Sequence, residues 1–226
     1  MLMGRCSGRH RRLFAIALSA ELLCGPAASS AAGSGTPLVR SVEQLAAMLG
    51  SIQGCEIQFD EQKQTPLLSM PLKSSGTLYY DRALGLARQV RTPRPSLVVI
   101  DDRVVRFEGA DGWQALDVGA YPGLADVIGG LLDVLKGDTE RLARTYSVQF
   151  EPEDGAEKGW RLMLEPRDPA SRELVQRIVL EGHGHDLRRL VVAEHGGMES
   201  TSTLRSVDMA RRFSDEERRT LFRLSQ

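Results

Sequence analysis

Apolar residues recur along this chain with two different spacings, and each change of spacing marks an element. Over residues 41–52, Val42, Leu45, Met48, Leu49 and Ile52 fall three and four apart. That period places them on one face of a helix, with Ser41 as N-cap and Gln44 at the third helical position. Beyond Gly54 the period drops to two. Ile57 and Phe59 alternate with Gln58 and Asp60, as in a half-buried strand. QTPLLSMPLKSSG carries two prolines and reads as an irregular crossing. GTLYYDRALGLARQV, residues 76–90, reads as a strand bent at Arg82 and Ala83. Its period of two places Leu78, Tyr80, Leu84 and Leu86 on one face. Arg82 falls on that same face, where a charge is costly unless something pairs with it.

SLVVIDD and RVVRFEG then read as a hairpin turning at Asp101 and Asp102, followed by GWQALDV after another tight turn. Helical spacing returns at residues 122–138. Leu124, Val127, Ile128, Leu131, Leu132 and Leu135 stand at i, i+3, i+4, i+7, i+8 and i+11, the strongest helical pattern in the chain. Gly129 and Gly130 sit inside it, each at a cost of roughly 1 kcal/mol against alanine. DTERLART extends the helical region. Strand patterns resume with YSVQFEP, GWRLMLEP, ELVQRIVLEG, DLRRLVVAEH and ESTSTLRSVDMA, and Ser214 caps a last helical turn. The sum is about ten or eleven strands in an antiparallel meander, interrupted by an N-terminal and a central helix. Strand and helix do not alternate, which excludes a doubly wound fold.

The start of the chain follows different rules. Arg5, Arg9, Arg11 and Arg12 precede the short apolar run LFAIALSAELLCG and the small residues PAASSAAG. This is the form of a secretory signal peptide over residues 1–32, cleaved near Ala32. Retention of the run as an anchor is the alternative. Leu23 precedes Cys24, where a lipoprotein signal needs a small residue, so lipidation is not expected. Residues 33–40 read as a linker and 41–226 as one domain. Cleavage would leave Cys55 as a lone thiol, expected to act as a small buried hydrophobe. Formal net charge is −1. That balance leaves no basic footprint for nucleic acid and no polybasic membrane patch.

Candidate chemistry is sparse. His183 and His185 in GHGHD, together with His195, are the residues that would hold a metal or serve a hydrolase. The competing reading is a polar hairpin tip, because Gly182 and Gly184 mark a turn. No phosphate-cradling glycine motif and no nucleophile elbow is present, and no cofactor is expected. The apolar faces leave two alternatives. The central helix covers a packed core, or it is a lid over an apolar interior able to take an acyl chain, where each buried methylene contributes about 0.8 kcal/mol. A packed interior would suit a non-transporting structural protein of the envelope.

From residue 41 to residue 213 the chain resembles the LolA superfamily of periplasmic outer-membrane lipoprotein carriers. The resemblance rests on IQFDEQKQ after the first helix and on Gly76, Leu78, Tyr79 and Arg82 in the next strand, followed by Leu84 and Leu86. The bend at Thr92–Pro95, the strand that ends at Asp102, GWRLMLEPRD and RRLVVAEHGGMESTSTL extend it. It implies an unclosed antiparallel β-barrel of about eleven strands with a helical lid. It further implies that Arg82 hydrogen-bonds the lid backbone in the closed state. Ala83 stands where the lipoprotein carriers commonly have proline, and Ala87 and Arg88 stand at later aromatic positions. The expected function is therefore a soluble periplasmic carrier, monomeric and non-enzymatic. Its cargo would be a lipoprotein, a glycolipid or another acyl product, received from an inner-membrane exporter and delivered to an outer-membrane acceptor. The expected site comprises wall residues Leu78, Tyr80, Leu84 and Leu86, lid residues Leu124, Val127, Ile128, Leu131 and Leu132, and Arg82 as latch.

Overall fold

The two-residue period resolves into eleven strands of a single antiparallel sheet in the computed structural model, which describes residues 39–109, 112–152, 159–184 and 186–223. The strands are β1 (Gly54–Gln64), β2 (Leu72–Asp81), β3 (Gly85–Thr92), β4 (Ser96–Ile100), β5 (Val104–Gly109), β6 (Gly112–Asp117), β7 (Tyr146–Pro152), β8 (Gly159–Pro166), β9 (Val175–His183), β10 (Asp186–Glu194) and β11 (Met198–Asp208). Their order in the sheet is β6-β5-β4-β3-β2-β1-β11-β10-β9-β8-β7. Two meanders are thus joined where β1 pairs with β11. The edges β6 and β7 do not pair with each other, so the barrel stays open.

That topology explains where the helices lie. The connection from β6 to β7 must cross the open side, and it carries a 3-10 turn (Val118–Ala120), α2 (Pro122–Lys136) and α3 (Thr139–Thr145). An earlier helix, α1 (Val42–Gly50), packs against α2. The Ser41 hydroxyl accepts from the Gln44 N–H at 3.3 Å, while the Gln44 side chain accepts from the Arg40 N–H at 2.8 Å. The sheet curls around this layer. Val98 and Val105 from one end of the strand order share a single buried cluster with Leu162 and Leu180 from the other, and with α2. Two short helices, α4 (Pro169–Arg172) and α5 (Asp215–Leu221), complete the chain.

A smaller cluster lies outside the barrel. Ala87, Leu97 and Val99 are covered by Phe213 and Phe222, which flank α5. The rings of Tyr79, Phe213 and Phe222 stack edge to face. The unbroken apolar run of β4 follows from this arrangement: Val98 and Ile100 face inward, Leu97 and Val99 face the C-terminal segment. The expected capping role of Ser214 is present as a full capping box with Glu217.

One expected element is different. Residues 76–90 are not a single bent strand. They are the β2–β3 hairpin, reversing through Arg82–Leu84. The Asp81 carboxylate accepts from the Ala83 N–H at 2.9 Å. Gly85 closes the turn at φ +92°, where a Cβ would stand 2.2 Å from the Ile100 carbonyl oxygen. The reversal keeps the even-numbered residues on the inner face. Leu86 lies opposite Tyr80 and Arg88 opposite Leu78.

The paired glycines of α2 prove unlike each other. A Cβ on Gly130 would lie 1.9 Å from the Tyr146 ring, whereas one on Gly129 meets nothing within 4 Å. Tyr146 is fully buried there, and its hydroxyl donates to the Val127 carbonyl at 3.3 Å. Gly129→Ala is therefore expected to raise stability by up to about 1 kcal/mol. Gly130→Ala should lower it by about 1–3 kcal/mol through overpacking. Urea denaturation midpoints of the two variants check this. Equal shifts would contradict the close packing of Tyr146 on α2.

Residues 1–32, read as a signal peptide, and all of the 33–40 linker except Val39 and Arg40 lie outside the described residues.

Candidate ligand-binding interior

The inner face of the sheet and the inner face of α2 make one apolar surface. From the wall, Ile57, Phe59, Leu78, Tyr80 and Leu86 are buried in it. From the helix, Leu124, Val127, Ile128, Leu132 and Leu135 are buried with them. Leu78, Tyr80, Leu86, Leu124, Val127, Ile128 and Leu132 thus come together. The side chain of Leu131 lies outside the described residues. Leu84 does not join them. It lies in the turn itself, outside both strands, and packs with the outer cluster of Ala87, Leu97 and Phe213. The Tyr80 hydroxyl is buried among these side chains and has no hydrogen-bond partner. Burial also raises its pKa.

A cavity of about 10 Å³ remains between α1, α2 and α3 against Leu162, room for about one water molecule. Five large apolar side chains on α2 gain about 10 kcal/mol by being covered. An acyl chain of about a dozen methylenes gains the same order on burial. A tail that replaced α2 against the wall would thus exchange one set of contacts for another of similar strength.

Arg82 stands at the tip of the β2–β3 hairpin, where α1 and α2 both end. Its backbone N–H donates to the Gln53 carbonyl at 3.0 Å. Its guanidinium donates to the Gly50 carbonyl at 2.7 Å, with longer contacts to the carbonyls of Ile52 (3.4 Å) and Lys136 (3.5 Å). Gly50 and Lys136 are the last residues of α1 and α2, so a fixed cation meets the negative ends of two helices. The backbones are in close contact there. A Cβ on Gly137 would lie 2.3 Å from the Ala46 carbonyl oxygen, and Gly137 holds φ +73° as the left-handed cap of α2.

The inner face also carries charges that the periodicity reading passed over. Along β1 the inward residues are Cys55, Ile57, Phe59, Glu61 and Lys63. Glu61 is 6% exposed and pairs with Arg88, 2% exposed, at 3.1 Å. The Arg88 guanidinium lies over the Phe59 ring at 4.7 Å. Glu61 also accepts from the hydroxyls of Ser74 (3.2 Å) and Ser202 (3.4 Å). Next along the strand, the Lys63 ammonium donates to Glu194 at 2.6 Å. Burial raises the pKa of Glu194, an effect the Lys63 hydrogen bond opposes. Ser200 lies opposite Lys63 in the β1–β11 register, fully buried, its hydroxyl without a partner. The signal was available: the alternation that makes Phe59 inward also makes Glu61 and Lys63 inward.

The three histidines do not form a centre. His183 ends β9 and pairs with Asp186 at the start of β10, whereas His195 follows the end of β10. A strand of this length separates them by about 30 Å. His185 lies outside the described residues. Gly182 has a packing reason instead, since Trp160 lies on it and a Cβ would stand 2.2 Å from that ring. Among the described residues no group of three or more His, Cys, Asp or Glu side chains is placed to hold a metal. Cys55 is buried, as expected, but it is disulfide-bonded rather than a free thiol. The other cysteines of the sequence, Cys6 and Cys24, lie outside the described residues.

The fold is similar to that of several solved structures, at low identity. A LolA superfamily protein, NE2245 from Nitrosomonas europaea, aligns with TM-score 0.43 and 10% identity, over 79% of this chain and 97% of that one. A putative outer membrane lipoprotein-sorting protein domain from Vibrio parahaemolyticus aligns with TM-score 0.47 and 8% identity, over 80% and 97%. MucB, in its complex with MucA from Pseudomonas aeruginosa, aligns with TM-score 0.42 and 13% identity, over 77% and 59%. Among curated proteins, none matches the chain. The family model described as outer membrane lipoprotein carrier protein LolA-like matches residues 31–214. With that match running over most of its length, the chain belongs to the LolA-like family of outer membrane lipoprotein carrier proteins.

Proposed function

We propose that this protein is a periplasmic carrier that takes the acyl chain of a lipoprotein or other acylated cargo between its sheet and α2, and shuttles it toward the outer membrane. The observation that carries the reading is the lid. The helical connection between the two edge strands covers an apolar inner wall, and Arg82, bonded at 2.7 Å to the end of α1, reaches the last residue of α2 at 3.5 Å. No helix among the described residues is long and apolar enough to cross a membrane. The buried, unpartnered Tyr80 hydroxyl adds a polar group that a cargo carbonyl would satisfy. The work is binding and release without chemistry, and donor and acceptor complexes hand the cargo over.

A second reading is a non-transporting envelope protein with a filled core, which the burial of wall and α2 side chains in one cluster favours. Native mass spectrometry of protein gently extracted from the periplasm separates the two. A carrier retains a bound acylated molecule as added mass that organic extraction removes. Protein mass alone, from cells expressing the protein at its natural level, supports the filled core.

A further inference from the structure

The buried charges divide the interior into two zones. Near the hairpin tip the inward residues of β1 are Cys55, Ile57 and Phe59; beyond them come Glu61 and Lys63. The strand rises about 20 Å from Cys55 to Glu61. An acyl chain spans about half of a ~30 Å hydrocarbon core, so a tail lying along the apolar zone would end near the charged one. There Arg88, Lys63, Glu61 and Glu194 face the interior with the hydroxyls of Ser74, Ser200 and Ser202. Buried ion pairs contribute little net stability compared with apolar side chains of the same size. A packed core would therefore gain nothing from this layer, and the Ser200 hydroxyl remains unsatisfied in it.

We propose that this layer is a head-group site: Lys63, Arg88 and Ser200 receive the anionic head, carboxylate or phosphate, of a single-chain amphiphile whose tail lies under α2. This rests on the carrier reading above and adds to it a preference among cargoes. The incoming anion takes the place of a carboxylate beside Lys63 or Arg88, and the Ser200 hydroxyl donates to it. Glu61 is held by Arg88 and by the hydroxyls of Ser74 and Ser202, while burial disfavours the ionised form of Glu194, so Glu194 is the side chain that gives way. The access side is set by the graded exposure: the Lys63 side chain keeps 11% of its surface, while Arg88 keeps 2%.

The test is displacement of a neutral fluorescent acyl probe from the purified protein by dodecanoate, dodecyl phosphate and dodecanol. Wild type is expected to bind at least one of the two anions about tenfold or more tighter than dodecanol, the effect of one charged hydrogen bond. The tighter anion distinguishes a carboxylate from a phosphate head. Lys63→Met combined with Glu194→Met removes one ion pair without leaving a lone buried charge. It should reduce the preference to about twofold or less while dodecanol affinity holds. Ser200→Ala keeps both ion pairs and should lower the preference about threefold to fivefold, guarding against a folding defect in the double variant. Equal affinity for all three ligands in wild type overturns the head-group site and leaves the carrier reading standing. A preference that persists in both variants also overturns it. Failure of every ligand to displace the probe, or of the probe to bind, overturns both.

Discussion

Arg82→Leu is expected to bind an acyl probe up to about thirtyfold tighter than wild type and to release it correspondingly more slowly. The guanidinium reaches the Gly50 carbonyl at 2.7 Å and touches the ends of α1 and α2. A hydrogen bond from a charged donor contributes about 1.5–3 kcal/mol. The short bond holds the end of α1, against which α2 packs; on the carrier reading, leucine therefore destabilises the closed state and leaves the apolar contacts in place. A shift of about 2 kcal/mol changes an open–closed equilibrium about thirtyfold. On the carrier reading ligand binds the open form, so its apparent affinity rises as that form becomes more populated. Stopped-flow release of a fluorescent fatty acid into vesicles reads the effect. Arg82→Lys, which keeps the charge but loses the fork, should fall between the two. Release and affinity unchanged in Arg82→Leu would remove the latch role.

The second large effect is on stability. Glu61→Ala should cost about 3–5 kcal/mol, because it removes the carboxylate partner of a buried guanidinium. It also takes an acceptor from Ser74 and Ser202. For a domain of this size the melting temperature should fall by about 10 °C or more. Glu61→Ala combined with Arg88→Met should recover most of that loss, since both charges are then gone. A single variant within about 0.5 kcal/mol of wild type, the range of ordinary surface substitutions, would mean that Glu61 and Arg88 are solvated rather than buried.

The strands were legible because apolar alternation survives wherever one face is buried and most hairpins pair neighbours in sequence; the pairing of β1 with β11, which joins the two meanders, was not. The central helix was legible from the spacing of Leu124, Val127, Ile128 and Leu132. What the pattern hid was the reversal at DRALG. Its apolar residues keep an even spacing across the turn, so Leu84 seemed to share a face with Leu78. Only the positive φ of Gly85 breaks the strand. Arg88 keeps the even spacing of Leu78, Tyr80 and Leu86, lies opposite Leu78 on the inner face and joins the charged layer. The partners in that layer are 27 and 131 residues apart in sequence, and no local pattern joins them. For the histidines the hairpin-tip reading is the one that holds: His183 pairs with Asp186 where β9 turns into β10, and the length of β10 separates it from His195.

The exposed surface offers a competing place for an acyl chain. In the 65–71 loop and at the start of β2, Leu67 is 87% and Met70 75% exposed, with Leu68 and Leu72 beside them. A photo-crosslinking fatty acid, activated on the native protein and mapped by peptide mass spectrometry, tells the two apart most directly. The interior account expects crosslinks on Leu78, Tyr80 and Leu86 from the wall and on Val127, Ile128 and Leu132 from α2. Crosslinks confined to Leu67, Leu68, Met70 and Leu72, with the wall and α2 unlabelled at saturating probe, would contradict it.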